Sequence, residues 1–202
     1  GQEINWGGGA FPFVEGVWSA RGRGGRASRK RQHSTAGAES LRGSDLGQET
    51  SSLIQGLGLD DGERAAKSLF TSKNTPGKGD DGYVPFDKEK LERLKSALAK
   101  QGVQIQTGFD DHLARQGANA GFLPGEELST ILLPEEPDRV AVIEELIHVW
   151  QRRKLGNEEF GRRRFEMEVE AQEKLLRLAD ELGWEEGERT RVEDALEYWK
   201  ER

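Results

Sequence analysis

Two glutamates and a histidine stand close together in residues 143–151 (IEELIHVWQ). Glu144 and His148 are four positions apart, so on an α-helix they lie one turn apart on the same face and can bind one metal ion together. Glu145 points about 100° away from Glu144 around the helix axis. A carboxylate there reaches a water molecule that the metal activates without binding the metal itself, which is the position of a general base in metal-assisted hydrolysis.

The rest of this predicted helix, residues 138–154, is apolar around most of its circumference. A helix with such a pattern is typically buried. Burying two carboxylates and an imidazole is costly unless the groups are paired or bind a metal. The narrow polar arc of this helix is therefore the strongest indication of a functional site in the sequence.

A second predicted helix, residues 165–182, can supply a third ligand. Glu168 falls inside the apolar arc of this helix, so we expect its carboxylate to point into the core. Glu170 is the alternative third ligand. The glutamates on the solvated side are Glu166, Glu170, Glu173 and Glu181.

Residues 143–151 resemble the active-site helix of zincin metallopeptidases. The resemblance is to the variant with glutamate in place of the first histidine, found in zincin-like toxin domains of bacterial polymorphic toxins. Residues 168–171 (EVEA), which begin twenty positions after His148, look like the second zincin motif. The resemblance implies that Glu144, His148 and Glu168 are metal ligands and that Glu145 is the general base.

This resemblance covers about residues 121–182 and, more loosely, the chain from residue 83 onward. It implies a zinc-dependent peptidase that acts on a protein or peptide substrate as the C-terminal toxin module of a secreted bacterial effector. Such a module is delivered from a bacterium and acts in the cytoplasm of the target cell. The resemblance also implies a cognate immunity protein as a partner.

The usual His-Glu-x-x-His motif of zincins is not intact in this sequence. Two carboxylates and one imidazole leave a bound Zn²⁺ formally neutral, whereas two imidazoles and one carboxylate leave it with a charge of about +1. A less positive metal activates water and polarises a carbonyl group more weakly. We therefore expect low or substrate-restricted activity, a lost function, or a harder ion such as Mn²⁺, which prefers oxygen ligands.

Other interpretations of the same residues stay open. Glu144, Glu145, His148 and Arg152 can form a purely structural network of ion pairs on a buried helix. The fold can also serve a catalytically silent interaction module, or a toxin of another chemistry such as a nuclease. The Glu145-x-x-His148 spacing is half of a di-iron carboxylate motif, for which the sequence offers no second copy.

Helices and a small sheet must position these residues. Asp87 is a suitable N-cap for a helix that Gly102 ends. After Pro137 the pattern is helical, with breaks at residues 156–157 and at Gly183. Predicted strands are residues 103–107, 121–123 and 129–133. This order predicts an α+β, zincin-like domain over residues 83–202, with a small antiparallel or mixed sheet packed on the buried active-site helix and further helices C-terminal to it.

Residues 1–82 differ from the rest of the chain in composition. They hold seventeen of the 26 glycines and an arginine-rich run at residues 21–31. Such a segment buries too little apolar surface to offset the entropy of ordering its backbone. We predict a largely disordered linker that joins the domain to its delivery portion, with a short helix at residues 62–70 and a hinge at residues 75–82. A patch for nucleic acid or an acidic surface is the alternative for residues 21–31.

Charge and composition exclude several classes of function. The net charge of −7 argues against a nucleic-acid partner held by phosphate contacts. The absence of cysteine excludes disulfides and cysteine-bound zinc. No stretch approaches the roughly 18–20 apolar residues of a membrane-spanning helix, so we expect no membrane span.

Overall fold

The computed structural model describes residues 47–59 and 82–202, together with the backbone of one strand at Val17–Ala20. These residues form seven helices and four strands. The helices are α1 (Gln48–Gly56), α2 (Lys88–Ala99), α3 (Asp110–Gln116), α4 (Arg139–Leu155), α5 (Asn157–Arg162), α6 (Arg164–Leu182) and α7 (Glu186–Lys200). The strands are β1 (Val17–Ala20), β2 (Val103–Gln106), β3 (Ala118–Leu123) and β4 (Ser129–Leu132). The predicted α+β class is confirmed.

The strands form one mixed sheet in the order β1–β3–β4–β2. β3 pairs antiparallel with both β1 and β4, and β2 pairs parallel with β4. Val103 and Ile105 of β2 are buried and alternate with more exposed residues, as expected for a strand with one face against a core. The strands predicted at residues 103–107, 121–123 and 129–133 are confirmed. β1 is an additional strand that we did not predict.

Aspartates cap the first turns of two helices. The Asp87 side chain accepts a hydrogen bond of 2.9 Å from the backbone N–H of Lys90 at the start of α2. The Asp138 side chain accepts one of 3.1 Å from the backbone N–H of Ala141 at the start of α4. Each carboxylate satisfies an N–H group that has no partner within its helix. The beginning of α4 is thereby fixed, which helps to set the face that its polar residues present.

Helix α4 runs through the centre of the core. Twelve of its seventeen residues are buried. It packs against β3 and also against α1, α5 and α6. Burial of one leucine, isoleucine or valine stabilises a fold by about 1.5–3 kcal/mol. The apolar residues of α4 therefore hold the helix in one rotation, and the burial predicted for this helix is confirmed.

The C-terminal part of the chain is helical, as predicted, and the break at Gly183 is confirmed. Gly183 ends α6 in the left-handed conformation, with φ of 64°, which glycine adopts without steric cost. Besides α1, two short helices were not predicted. These are α3, which follows β2, and α5, which lies between α4 and α6.

Helix α1 belongs to the folded domain, although we placed all of residues 1–82 in the linker. Leu53 and Leu57 have no exposed surface and join the same hydrophobic core as α4. The helix packs on α4 and α6. The domain boundary predicted at residue 83 therefore misses residues 47–59. Their apolar residues form a short amphipathic run that the surrounding glycines and serines obscured in the sequence.

Glu181 of α6 caps the N-terminus of α1. The preceding residue, Gly47, has no side chain that can do so. The Glu181 carboxylate accepts hydrogen bonds from the backbone N–H groups of Glu49 and Thr50, at 3.0 and 2.9 Å. An anion at this end of a helix is favoured by the helix dipole. A Cβ atom on Gly47 would lie 2.0 Å from Cδ of Glu181, so a larger residue at this position would displace the capping carboxylate.

Several predictions for the first 82 residues lie outside the described residues. They are the disorder of the linker as a whole, the helix at residues 62–70, the role of residues 21–31 and most of the hinge at residues 75–82. Within the described part of the chain, no helix has both the length and the apolar character needed to cross a membrane.

Candidate metal centre

Helix α4 carries three of the predicted site residues into the interior. Glu145 and His148 have no exposed surface, and Glu144 is 5% exposed. Glu144 and His148 lie one turn apart on the same face of the helix, as predicted. The apolar residues around them pack on the sheet and on α6, so α4 cannot turn its polar arc to solvent without exposing the core.

Glu168 reaches these residues from α6. It is fully buried, and its Oε2 lies 3.5 Å from Nε2 of His148. One ligand atom from each of Glu144, His148 and Glu168 lies within 4.8 Å of the others. Glu170 is only partly buried, and its Oε2 accepts a hydrogen bond of 3.0 Å from Nε2 of Gln151. The structure therefore brings Glu168, rather than Glu170, together with Glu144 and His148.

Three polar atoms of this group are buried without a hydrogen-bond partner among the described residues. They are Nε2 of His148 and both carboxylate oxygens of Glu168. A buried polar group left unsatisfied costs about 1–3 kcal/mol, and more if it is charged. The 3.5 Å between Nε2 and Oε2 is compatible with both atoms binding one zinc ion at about 2.0–2.2 Å. The donor set and its unsatisfied atoms therefore fit a divalent cation.

The imidazole of His148 has a raised pKa. Burial alone would lower this pKa, because it disfavours the charged form. The negative charge of Glu168, with further contributions from Glu145 and Glu144, outweighs burial and raises the pKa to about 9. The raised pKa favours the imidazolium, which faces Glu168, and a metal ion at Nε2 would have to displace its proton.

Two buried glutamines contact the predicted ligands. Oε1 of Gln151 lies 2.8 Å from Nδ1 of His148, and Nε2 of Gln172 donates a hydrogen bond of 2.6 Å to Oε1 of Glu144. We placed Gln151 in the polar arc without assigning it a role, and we did not identify Gln172. The sequence did indicate where Gln172 lies. It follows Glu168 by four residues and therefore shares its face of α6.

Aromatic rings enclose one side of the site. The ring of Phe160, on α5, packs edge-on against the imidazole of His148 with 6.1 Å between the ring centres. The same ring packs against Phe122 of β3 at 5.9 Å. We did not predict a role for Phe160, since α5 itself was not identified. These rings keep water from one side of the imidazole, which strengthens the electrostatic interactions within the site.

Arg152 lies at the edge of the polar arc of α4. Its guanidinium donates hydrogen bonds to Oδ1 of Asn157 and to the backbone carbonyl of Gly125. These contacts tie α4 to the β3–β4 turn and to the beginning of α5. The site offers two carboxylates and an imidazole to one cation, and the buried Glu145 is adjacent in sequence to the predicted ligand Glu144.

No protein-family model matches the chain, and neither does any curated protein or solved structure. The function is therefore inferred from the site itself and from the resemblance described above.

Proposed function

We propose that this chain is a metal-dependent hydrolase with a zincin-like catalytic domain that cleaves protein or peptide substrates. The observation that carries the proposal is the buried group of Glu144, His148 and Glu168, on two packed helices, with the buried Glu145 beside it. Three protein ligands and a neighbouring carboxylate are typical of a catalytic metal site, in which one position is left for water or substrate.

In this proposal, Glu144, His148 and Glu168 hold the ion, and Glu145 moves a proton. When bound, a divalent ion supplies a Lewis acid that polarises a carbonyl group and makes water more acidic. A carboxylate oxygen of Glu145 accepts the proton of the attacking water and then donates it to the leaving amine. The burial of Glu145 supports this role, because burying a carboxylate is costly unless it is paired or acts beside a metal.

Zinc is the proposed metal, with Mn²⁺ or another divalent ion as the alternative. Imidazole nitrogen and carboxylate oxygen both bind zinc, whereas two carboxylates in a set of three also suit the harder Mn²⁺. Because the two carboxylates neutralise the charge of the ion, the proposed enzyme activates water less strongly than a site with two imidazoles. Its turnover is accordingly expected to be low or confined to particular substrates.

The resemblance of residues 143–151 to zincin-like toxin domains extends the proposal to a biological role. The domain would be the toxic module of a secreted bacterial effector that acts in the cytoplasm of a target cell. A cognate immunity protein would neutralise it in the producing cell. Those of residues 1–82 that lie outside β1 and α1 would then join the domain to its delivery portion.

Metal content and toxicity, measured for the same protein, test the proposal. The purified chain is stripped with a chelator, dialysed against zinc or manganese, and analysed by mass spectrometry for bound metal. We expect about one equivalent of metal, as well as growth arrest in cells that express the wild-type chain but not Glu145→Gln. A chain that binds no divalent ion, or a Glu145→Gln variant that stays fully toxic, would refute the catalytic assignment.

A second candidate is a catalytically silent module in which the same residues form a structural ion-pair network. The observation that favours it is the complete burial of His148 and Glu168, whose 3.5 Å contact is charged at neutral pH when the pKa of His148 is about 9. This candidate predicts no bound metal. It also predicts that Glu145→Gln destabilises the domain without changing any activity.

A further inference from the structure

Gln151 connects the two helices that carry the proposed ligands. Its side chain is 1% exposed and lies between α4 and α6. Oε1 lies 2.8 Å from Nδ1 of His148, whereas Nε2 donates hydrogen bonds to the backbone carbonyl of Met167 at 2.9 Å and to Oε2 of Glu170 at 3.0 Å. Met167 directly precedes Glu168 in the chain. A single amide thus contacts one ligand and the backbone next to another.

The partners of Gln151 determine which way its amide faces. A backbone carbonyl only accepts hydrogen bonds, so the NH₂ group of Gln151 must face Met167. Oε1 must then face His148, and because this oxygen only accepts, Nδ1 of His148 must carry a proton. The opposite ring nitrogen, Nε2, is the atom that lies 3.5 Å from Glu168. The Met167 carbonyl therefore fixes, through Gln151, which nitrogen of His148 can bind a metal.

We propose that Gln151 is a positioning residue that holds the ring of His148 with Nδ1 protonated and Nε2 directed at the metal position. The inference rests on the proposed function, because it assigns a role toward the same metal. Residues that hydrogen-bond to a metal-binding histidine orient its ring, and their loss typically lowers metal affinity by about 10–100-fold. Gln151 also lines a cleft of about 630 Å³ between α4, α6 and α7, on the Nδ1 side of His148. Without this amide, the imidazole of His148 loses its hydrogen-bond partner at Nδ1, on the side that faces the cleft.

Two substitutions separate positioning of His148 from a general effect on folding. Gln151→Met keeps a similar side-chain volume but removes both the acceptor and the donor. Gln151→Glu keeps an acceptor for Nδ1 but places an oxygen against the Met167 carbonyl, so it loses the donor. Both variants are expected to melt at a lower temperature than the wild type. Only Gln151→Met is expected to lose the hydrogen bond to His148.

The experiment measures the affinity for zinc by competition with a chromophoric chelator, and the histidine ring protons by NMR of ¹⁵N-labelled protein. With three histidines in the chain, the signal of His148 is identified by its loss in His148→Ala. We expect a slowly exchanging Nδ1–H signal in wild type and Gln151→Glu, with affinities within about 5-fold of one another. Gln151→Met should lose the signal and bind zinc about 10–100-fold more weakly. Gln116→Leu, at an exposed glutamine of α3, is the control and should behave as the wild type.

The outcomes distinguish this inference from the proposed function. If wild-type protein binds zinc and Gln151→Met binds it equally tightly, the positioning role is refuted while the metal site stands. The positioning role is also refuted if the zinc affinity of Gln151→Glu falls as far as that of Gln151→Met. The loss of affinity would then reflect the lower stability of both variants rather than the hydrogen bond to His148. If wild-type protein binds neither zinc nor another divalent ion, both proposals fail.

Discussion

Nε2 of His148 and Oε2 of Glu168 face one another across the contact between α4 and α6, 3.5 Å apart and fully buried. A buried pair of opposite charges adds little net stability, because the cost of removing both groups from water offsets their attraction. Removing one partner is costly, because it leaves the other charge uncompensated. Variants of this pair therefore distinguish a metal site from a structural ion pair.

Substitutions of His148, Glu168 and Glu170 are expected to reduce the affinity for a divalent ion to different extents. His148→Ala should abolish binding of a divalent ion, and Glu168→Gln should weaken it by at least about 100-fold, more than the loss of a group that only orients a ligand. Glu170→Ala, two positions away and only partly buried, is the matched control and should leave affinity nearly intact. Isothermal titration of chelator-treated protein measures all three. If Glu170→Ala has the larger effect, the assignment of Glu168 is incorrect.

Glu145→Gln keeps the shape of the side chain but removes the proposed base. Metal binding should persist, whereas turnover should fall by ~10²–10⁴-fold or more. Stability should be unchanged or slightly higher, because repulsion from Glu144 and Glu168 is relieved. The measurements are the melting temperature and the toxicity in an expressing cell, with the exposed Glu127→Gln as control. A loss of about 3–5 kcal/mol would instead indicate a structural ion-pair network.

The docking of α1 is expected to depend on pH through Glu49. Burial would raise the pKa of this carboxyl, but the hydrogen bonds and charges of Lys174 and Arg177 outweigh it and lower the pKa below its ordinary value of 4.5. The stabilisation of the fold by the ion pairs of Glu49 is therefore fully present above about pH 4.5. It is lost as the pH falls through the lowered pKa of this carboxyl. Urea unfolding should show Glu49→Gln less stable than wild type at pH 7, with the difference shrinking below pH 4.5.

A control for the Glu49 experiment is the exposed ion pair of Glu92 with Lys95. Glu92→Gln should change stability by less than about 1 kcal/mol at either pH, since exposed pairs contribute little. A difference between Glu49→Gln and wild type that does not vary with pH would show that the ion pairs of Glu49 do not hold α1 in place.

Leu53→Ala tests whether α1 is part of the folded domain. Because Leu53 is fully buried in the core, the substitution should destabilise the whole domain by about 2–5 kcal/mol. Leu128→Ala is the matched control, since this leucine is 53% exposed, and it should be almost neutral. Both are measured by thermal unfolding of the full chain. A neutral Leu53→Ala would mean that α1 is not docked in solution.

Helical periodicity made much of the candidate site predictable. The apolar circumference of residues 138–154 predicted a buried helix, and the position of Glu168 within an apolar arc predicted that it points inward. Both inferences need only residues within a few turns of one another. The class of fold followed from the order of such patterns along the chain.

Features that depend on distant parts of the chain could not be predicted. α1 has few apolar residues, and its cap is Glu181, a residue 132 positions away from Glu49. β1 pairs with β3, about a hundred residues further on, and no local pattern signals that pairing. Gln151 was placed on the correct face, but its role depends on a carbonyl of another helix. In each case the missing information was the identity of a tertiary partner.

The proposed ligands lie on α4 and α6, which only the short helix α5 separates in the chain, and this has a consequence for the order in which the molecule can form. Glu144 and Glu168 are twenty-four positions apart in the chain, so the helical hairpin that joins them has a low contact order. Closing the loop from Glu49 to Glu181, 132 positions apart, costs about 1.5 kcal/mol more in chain entropy. The hairpin that carries the proposed ligands can therefore assemble early, before α1 docks. During synthesis, α1 cannot receive its cap from Glu181 until α6 has emerged, so one of the first described elements of the chain must wait for one of the last.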